Sequence, residues 1–480
     1  MKHLIPTALL VVLLAAPAAR AEVIAEESSG VVPLEGESSV LVRGIAGSVV
    51  VWGGGTEGVQ FELTRADTKA ELPVRISSEQ RTLIFEPPAG APALKRNLFL
   101  LMPSGVTIRV EAEGTRVELQ RLGSAAEVTG KNLTVELAGS TAATTLELQG
   151  GTVQANNVPG DIVLRGREWN AKLGPGLGRV GIYGGPGSAE IQGLGGRLDA
   201  ELEQVSLRVR DADGEVQVRA KGGRVDLADS RGGGDLRLSE SPLSLVKCEG
   251  MFQITSNASI KFNNLRSDLV IDGDAATVEG TVTTGGVQVR NHDASLTLSK
   301  IGGAVRIEGT TLVVTVKEAG EARIDTQAST LDLASIGGRV DVVNDGGDVR
   351  LSQIFGETSV NSNGGNVRVV EQGGALQLTA DGQETLVAWS VLPPGSKSSI
   401  ENVSGPVVVQ LPSGGNGCRI EARTSSGRIE SPFKRVVLSG DRSDAQGSVG
   451  TDTSTVVSVK AAGDIRLSGG PTDAGNAGDR

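Results

Sequence analysis

Pairs of aliphatic residues, separated by one polar residue, recur through the middle of the chain. In Gly222-Gly223-Arg224-Val225-Asp226-Leu227 the pair follows two glycines, which gives the general unit Gly-Gly-x-Φ-x-Φ, where Φ is aliphatic. Further copies of this unit begin at Gly302, Gly337, Gly346, Gly364 and Gly373, and a copy one residue shorter begins at Gly285. From Leu198 to Leu376 the first aliphatic residue recurs at nearly every ninth position, with or without the glycines. The chain therefore carries a short internal repeat.

This repeat predicts short β-strands joined by tight turns. Side chains at i and i+2 of a strand share a face, so we expect Val225 and Leu227 in the core and Asp226 in solvent. The glycine pairs are expected to supply the positive φ angles of the turns. Strands on a constant step wind into a solenoid. The predicted fold is all-β, a parallel β-helix or β-solenoid with about nine residues per strand-turn unit. An ordinary β-sandwich is the alternative, but irregular loop lengths are usual there.

The number of strands in one coil is either two or three. Two units per coil, a step of about 18 residues, place Lys261 over Glu279 and Asp332 over Arg350, whereas three units align like charges. An opposite-charge pair between neighbouring strands contributes about 0.2–1 kcal/mol. The charges therefore favour two sheets over three.

Composition fits this fold, and the ends of the repeat suggest how the chain is divided. The 480 residues include 67 glycines and only 2 % aromatic residues, as expected for many turns around a thin aliphatic core. Residues 22–121 are predicted to be an N-terminal β portion that starts the solenoid. Residues 122–392 form the central array, 393–470 the C-terminal rungs and cap, and 471–480 a disordered tail. Pro393 and Pro394 mark the second boundary, because consecutive prolines cannot donate to a strand ladder.

The first residues predict export from the cytoplasm. Lys2 precedes an apolar run from Leu9 to Ala16, and Ala19-Arg20-Ala21 has the small-x-small form of a cleavage site. Residues 1–21 are therefore predicted to be a signal peptide, with a secreted or periplasmic, cell-envelope chain beginning near Glu22. No transmembrane segment is expected after its removal. The net charge of −11 argues against a nucleic-acid partner, because phosphate binding needs a basic surface.

Three parts of the sequence carry a resemblance to a known family. They are the opening strands from Leu41 to Val51, the apolar strand from Leu98 to Val106 that ends in Pro and Gly, and the closing rungs at 420–429 and 462–467. They resemble the bacterial putative adhesin family, a cell-envelope β-helix domain of unknown function. The chain is also similar to the head domain of putative autotransporter adhesins. The resemblance implies a β-helix at the envelope and brings no catalytic residues.

Metal and cofactor sites are not expected. A nine-residue Gly-Gly unit invites comparison with the calcium β-roll, but Val and Leu occupy the positions where that repeat needs Gly and Asp. Asp341, Asp345 and Asp348, with Asn344, form the best acidic cluster for one hard cation. Solvated turn carboxylates are the favoured interpretation of this cluster.

Catalytic chemistry also has little support. Asp272 and Asp274 could act as a carboxylate pair and Trp169 as a sugar platform, as in β-helix polysaccharide lyases and hydrolases. His292 is the only histidine after signal removal and is expected in a turn. The chain is therefore predicted not to be an enzyme. Cys248 and Cys418 are expected to be two separate buried thiols, with one disulfide as the alternative.

The predicted function is that of a non-catalytic extracytoplasmic solenoid, a putative adhesin or an envelope structural or binding protein. Repeated polar side chains would contact a surface or polymeric partner, and weak contacts would add through multivalency. The candidate binding face consists of Arg306, Arg323, Arg350 and Arg368. A polysaccharide-acting β-helix enzyme and an envelope-stress or assembly factor that binds another periplasmic protein remain as alternatives. The partner, whether cell-surface component, glycan or envelope protein, is left open.

Overall fold

A computed structural model describes residues 22–469 except 56, 92–93, 275–276 and 413–416. The predicted signal peptide and tail, 1–21 and 471–480, lie outside the described residues. Every regular element in the described ranges is a β-strand. These ranges contain no helix with the length and apolar character needed to cross a membrane.

The chain divides after Arg165 into two compact units. The strands of the first unit are β1 (Glu22–Glu27), β2 (Ser29–Val32), β3 (Ser39–Arg43), β4 (Gly47–Gly55), β5 (Val59–Arg65), β6 (Val74–Glu79), β7 (Thr82–Glu86), β8 (Arg96–Pro103), β9 (Thr107–Glu113), β10 (Arg116–Gln120), β11 (Ala126–Ala138) and β12 (Thr144–Asn156).

The first unit combines parallel and antiparallel pairing. β3 and β4 pair in parallel with β9 and β10, and β11 continues both ladders towards β12. Between β4 and β9 the chain folds as antiparallel strands, β5 against β8 and β6 against β7. β7 and β8 also lie along the free edges of β3 and β4. The first coil is therefore covered by inserted strands, which the spacing of aliphatic pairs did not predict.

The second unit contains the longer array. Its strands are β13 (Ile162–Leu173, beginning before the boundary), β14 (Val180–Gly184), β15 (Gly187–Leu194), β16 (Leu198–Ala212), β17 (Val216–Ala228), β18 (Gly234–Ser239), β19 (Leu243–Val246), β20 (Phe252–Ser256), β21 (Ile260–Leu265), β22 (Leu269–Asp274), β23 (Thr277–Thr283), β24 (Val287–His292), β25 (Ser295–Thr310), β26 (Val313–Gln327) and β27 (Thr330–Ile336). They continue with β28 (Val340–Asp345), β29 (Val349–Ile354), β30 (Thr358–Asn363), β31 (Val367–Gln372), β32 (Leu376–Asp381), β33 (Thr385–Trp389), β34 (Lys397–Asn402), β35 (Val407–Leu411), β36 (Gly417–Thr424), β37 (Ile429–Glu430), β38 (Val436–Leu438), β39 (Asp444–Gly450), β40 (Val456–Ala461) and β41 (Ile465–Gly469).

The second unit is a β-solenoid with two strands per coil, which confirms the predicted fold class and the two-sheet step. Its strands alternate between two parallel ladders whose register partners lie about 18 residues apart, as do Leu331, Val349 and Val367. Ladder A contains β15, β19, β21, β23, β27, β29, β31, β33 and β35, and ladder B contains β14, β18, β20, β22, β24, β28, β30, β32 and β34. The long strands β16, β17, β25 and β26 turn a corner and belong to both ladders.

Inward and outward positions follow the predicted alternation. Val225 and Leu227 are at most 1 % exposed, while Asp226 between them faces outward. At the C-terminal end β36 pairs in parallel with β40 and antiparallel with β39, which in turn pairs with β38. Antiparallel strands therefore follow the parallel array at its end.

The role predicted for the glycine pairs is only half right. Gly346 and Gly347, like Gly364 and Gly365, have the expected positive φ angles, between 75° and 98°. The pairs that begin at Gly285, Gly302, Gly337 and Gly373 are not among the positive-φ residues. The second kind of pair therefore needs another explanation.

Close approach of successive coils explains one glycine of each of these pairs, and the lone Gly356 shows the same contact. A Cβ on Gly356 would lie 2.2 Å from the carbonyl oxygen of Gly338, and a Cβ on Gly374 would lie 2.0 Å from that of Gly356. Contacts of this kind recur at one corner of the solenoid and define a glycine column: Gly196, Gly214, Gly232, Gly285, Gly303, Gly338, Gly356 and Gly374. Left-handed backbone occurs elsewhere at non-glycine residues such as Lys300, Gln353 and Glu371.

Candidate functional site

The outer face of ladder A carries one continuous row of side chains, one from each strand, which we call the A row. From one end of the second unit to the other it consists of Lys172, Glu190, Arg208, Asp226, Ser244, Lys261, Glu279, Thr297, Thr315, Asp332, Arg350, Arg368, Leu386, Val408 and Arg466. Neighbouring members are register partners on strands about 4.8 Å apart. The row is therefore the surface on which any repeated contact from this face would be made.

The first half of the A row alternates in charge. From Lys172 to Glu279 every charged residue has a neighbour of opposite sign and none of its own sign. Lys261 Nζ lies 2.8 Å from Glu279 Oε2, as the two-sheet step predicted. Exposed pairs of this kind contribute modestly, about 0.2–1 kcal/mol each. In this part of the row each charged side chain is therefore compensated by a neighbouring member of the row.

The alternation breaks at Arg350 and Arg368. These two arginines are register partners on β29 and β31, and both are exposed. Asp332 is the register partner of Arg350, but among the described residues neither arginine forms an ion pair. Arg368 has Leu386 on its other side. Like charges opposite each other destabilise a ladder, so this pair works against the stability of the strands that carry it.

The four arginines of the predicted binding face do not share one face. Arg306 and Arg323 are register partners on ladder B, whereas Arg350 and Arg368 are partners on ladder A. All four are exposed. The structure therefore brings them together as two pairs on different ladders.

An open groove of about 550 Å³ lies over the ladder A pair. Its outward-facing lining includes hydroxyl, amide, carboxylate, guanidinium and apolar groups, from Val313, Thr315, Thr330, Asp332, Asp348, Arg350, Asn366, Arg368, Glu384 and Leu386. Asp348 Oδ1 accepts hydrogen bonds from the Asn366 backbone N–H at 2.8 Å and from Asn366 Nδ2 at 3.3 Å. In the described part of the chain Asp332 and Glu384 accept no such bond and are open to a ligand. Sequence reasoning identified the arginines but not the groove around them.

The carboxylates of the predicted acidic cluster accept hydrogen bonds from neighbouring side chains and backbone groups. Arg339 Nε donates to Asp341 at 2.8 Å. Asn363 Nδ2 donates to Asp345 Oδ1 at 2.8 Å, and Asp348 is held by the next turn as described above. Within the described ranges no group of three His, Cys, Asp or Glu side chains is placed to hold a metal ion.

Asn344, which the sequence grouped with that cluster, points into the core instead. It is 1 % exposed, and its Nδ2 donates to the carbonyl oxygens of Ser329 at 3.0 Å and Gly347 at 3.2 Å. Its Oδ1 accepts from the Thr326 hydroxyl at 3.0 Å. Asn344 therefore satisfies the backbone of a corner between coils.

The candidate catalytic groups do not converge on a cleft. Asp272 lies 3.8 Å from Arg290, and His292 Nδ1 lies 2.9 Å from the Thr310 hydroxyl oxygen. Asp274 is the register partner of His292 on the exposed side of ladder B. The hypothesis that Trp169 is a sugar platform is wrong, because this side chain is fully buried. An indole at the start of ladder A fills the core, where it cannot contact a glycan.

The two cysteines are separate buried thiols, as predicted. Burial raises the pKa of the Cys248 thiol, and it raises the pKa of Cys418 to about 11. Both groups therefore stay protonated near neutral pH and are poor nucleophiles. Neither thiol contributes to the groove on ladder A.

Comparison with known proteins adds little to this description. No family model matches the chain, and no curated protein matches it. The crystal structure of a putative cell adhesion protein from Clostridium sporogenes aligns over 92 % of this chain and 99 % of its own, with 7 % identity and a TM-score of 0.15. Neither fold nor function is transferred at that TM-score. The β-solenoid rests on this chain's own strand register, and the resemblance to the bacterial putative adhesin family stays a prediction.

Proposed function

We propose that the chain is a non-catalytic β-solenoid of the cell envelope that binds a surface or polymeric partner through outward rows of side chains. Adhesion, or another binding role at the envelope, follows from that activity. The observation that carries the proposal is the A row, in which side chains recur at one strand spacing on a parallel ladder. A polymer or a repetitive surface can meet such a row at several points, so weak contacts add.

Two further features favour binding over catalysis. The carboxylate of Asp272 lies beside Arg290, and Trp169 is buried, so neither supports a sugar-cutting cleft. The groove on ladder A is open and mixes polar and apolar lining, as a contact surface does. The resemblance to envelope adhesin domains points the same way.

Location and binding can be tested together in the source organism. Fractionation should recover a chain lacking residues 1–21 in the periplasm, at the cell surface or in the medium. The purified chain should then be retained on isolated envelopes in a saturable way. Recovery of the full-length chain in the cytoplasm, or no saturable retention on envelopes, would refute the proposal. A stoichiometric complex with one periplasmic protein and no retention on envelopes would favour the assembly-factor alternative.

A further inference from the structure

We propose that Arg350 and Arg368 form the carboxylate-binding centre of a site for an acidic glycan, meaning a hydroxyl-rich polymer whose sugars bear carboxylates. The inference rests on the proposed function and names the class of partner. It starts from the one place on the A row where two cations are neighbours.

Among the described residues the two arginines form no ion pair, unlike Arg208, Lys261 and Arg466 of the A row, although Asp332 is the register partner of Arg350. The neighbouring like charges of the two arginines are unfavourable in the free protein, and an anion placed between them would offset that repulsion. A guanidinium presents a planar fork that matches a carboxylate in two hydrogen bonds. Two forks on adjacent strands, about 4.8 Å apart, can hold one carboxylate or two successive ones along a polymer.

The rest of the groove fits the other groups of a glycan. Asp332 and Glu384 offer acceptors for sugar hydroxyl groups, and Thr315 offers a hydroxyl. Leu386, directly beyond Arg368, offers apolar surface for the C–H face of a sugar ring. The same carboxylates repel a polymer with dense charge, such as a polyphosphate or a nucleic acid. A polymer with one charge per sugar and many hydroxyl groups therefore suits the groove better.

The arginine pair on ladder B provides a matched contrast. Arg306 and Arg323 are also exposed register partners. Their own strands place Glu308, Glu321 and Asp325 two residues away on the same face. On ladder A the only carboxylate in the equivalent positions is Asp348, which Asn366 already holds. Glu308 is held by Arg290 at 3.1 Å, and among the described residues the ladder B arginines form no ion pair either. Glu321 and Asp325 therefore remain as carboxylates beside the ladder B pair, whereas the strands of the ladder A pair carry no unheld carboxylate two residues away.

The test measures binding of the purified full chain to immobilised polygalacturonate in EDTA, with neutral dextran and dextran sulfate as comparison surfaces. The double variant Arg350→Gln/Arg368→Gln is compared with Arg306→Gln/Arg323→Gln, which changes the net charge equally. We expect the ladder A variant to weaken polygalacturonate binding about tenfold or more. The ladder B variant should change it by less than about twofold, and dextran should not bind. The melting temperature of the ladder A variant should equal or exceed that of the unchanged protein, because it removes a like-charge contact.

Three outcomes of this binding test would overturn the inference. They are equal losses in the two variants, no binding of the unchanged chain to polygalacturonate, and tighter, pair-dependent binding to dextran sulfate, which would indicate a general polyanion site. Saturable retention on envelopes that survives Arg350→Gln/Arg368→Gln would also overturn it while leaving the proposed function standing. If the unchanged chain is not retained on envelopes, the proposed function itself is refuted.

Discussion

Replacement of Gly356 by alanine tests the explanation of the glycine column. The added Cβ would lie 2.2 Å from the carbonyl oxygen of Gly338, one coil away, and 2.3 Å from its carbonyl carbon. Ordinary contact between these atoms needs about 3.4 Å or more, so neighbouring coils would have to separate by about 1 Å. Overpacking of this size costs about 1–3 kcal/mol in free energy of unfolding. Alanine also lowers the conformational entropy of the unfolded chain, which raises the free energy of unfolding by only about 0.4–1 kcal/mol.

Gly440→Ala is the matched control, because nothing lies within 4 Å of its Cβ position and its φ angle is not left-handed. The free energy of unfolding should be measured by urea denaturation, and hydrogen exchange should locate the change. We expect lower stability for Gly356→Ala, with faster exchange in β29 to β32, and no loss for Gly440→Ala. Equal stability and exchange in the two variants would refute close approach as the reason for this glycine.

Three further predictions concern individual side chains. Asn344→Ala should lower the free energy of unfolding by about 2–3 kcal/mol, because it leaves two buried carbonyl groups without donors. The control Asn361→Ala, at an exposed position, should change it by less than about 0.5 kcal/mol. Equal effects of the two substitutions in urea denaturation would contradict the role of Asn344 at the corner. Arg368→Glu should raise stability by about 0.2–1 kcal/mol, since it restores charge alternation, and a lower melting temperature would show that the arginine packs structurally. Cys248 and Cys418 should not react with a thiol reagent at pH 8 until the chain unfolds, because burial raises the pKa of both, and rapid reaction of the native protein would contradict their burial. The pKa of Cys418 in the folded chain, about 11, lies above the ordinary thiol value. The folded chain therefore holds this proton more tightly than the unfolded chain, and the resulting stabilisation is lost as pH rises from the ordinary thiol range towards about 11.

The ladders of the second unit could be predicted from the sequence because their determinants are local and regular. Alternation within Val225-Asp226-Leu227 fixes which side chains face inward, and the constant step fixes which strands become neighbours. The antiparallel strands β5 to β8 could not be predicted in this way. Their pairing depends on which edges of the first coil are left free, and the spacing of aliphatic residues does not predict those edges.

The glycines show a second limit of sequence reasoning. Gly364 and Gly373 both begin a Gly-Gly pair in the sequence, yet Gly364 has a φ of 88° and Gly373 is not among the positive-φ residues. Close approach of the next coil does not separate the two kinds of pair, since a Cβ on Gly365 or Gly374 would lie 2.2 Å or 2.0 Å from a carbonyl oxygen one coil away. The backbone conformation at the corner separates them, and it is set by the assembled ladder. Left-handed residues such as Lys300 and Gln353 are equally hidden, because no glycine marks them.

Only part of the candidate site could be predicted from the sequence. Arg350 and Arg368 are 18 residues apart, so the two-sheet step alone makes them neighbours. Arg323 and Arg350 are separated by an odd number of nine-residue units, which puts them on different ladders. The four arginines could therefore have been divided into two pairs once the number of strands per coil was known. The groove could not, since it depends on the side chains of five successive strands.

Arginine footprinting on isolated envelopes tests the central claim most directly, because it uses the unchanged protein and reports the contact surface. The chain is treated with phenylglyoxal, free and envelope-bound, and the modification of each arginine is measured by mass spectrometry. We predict that binding protects Arg350 and Arg368 and leaves Arg306 and Arg323 reactive. Equal modification of all four in both states, or protection confined to ladder B, would contradict binding through the A row.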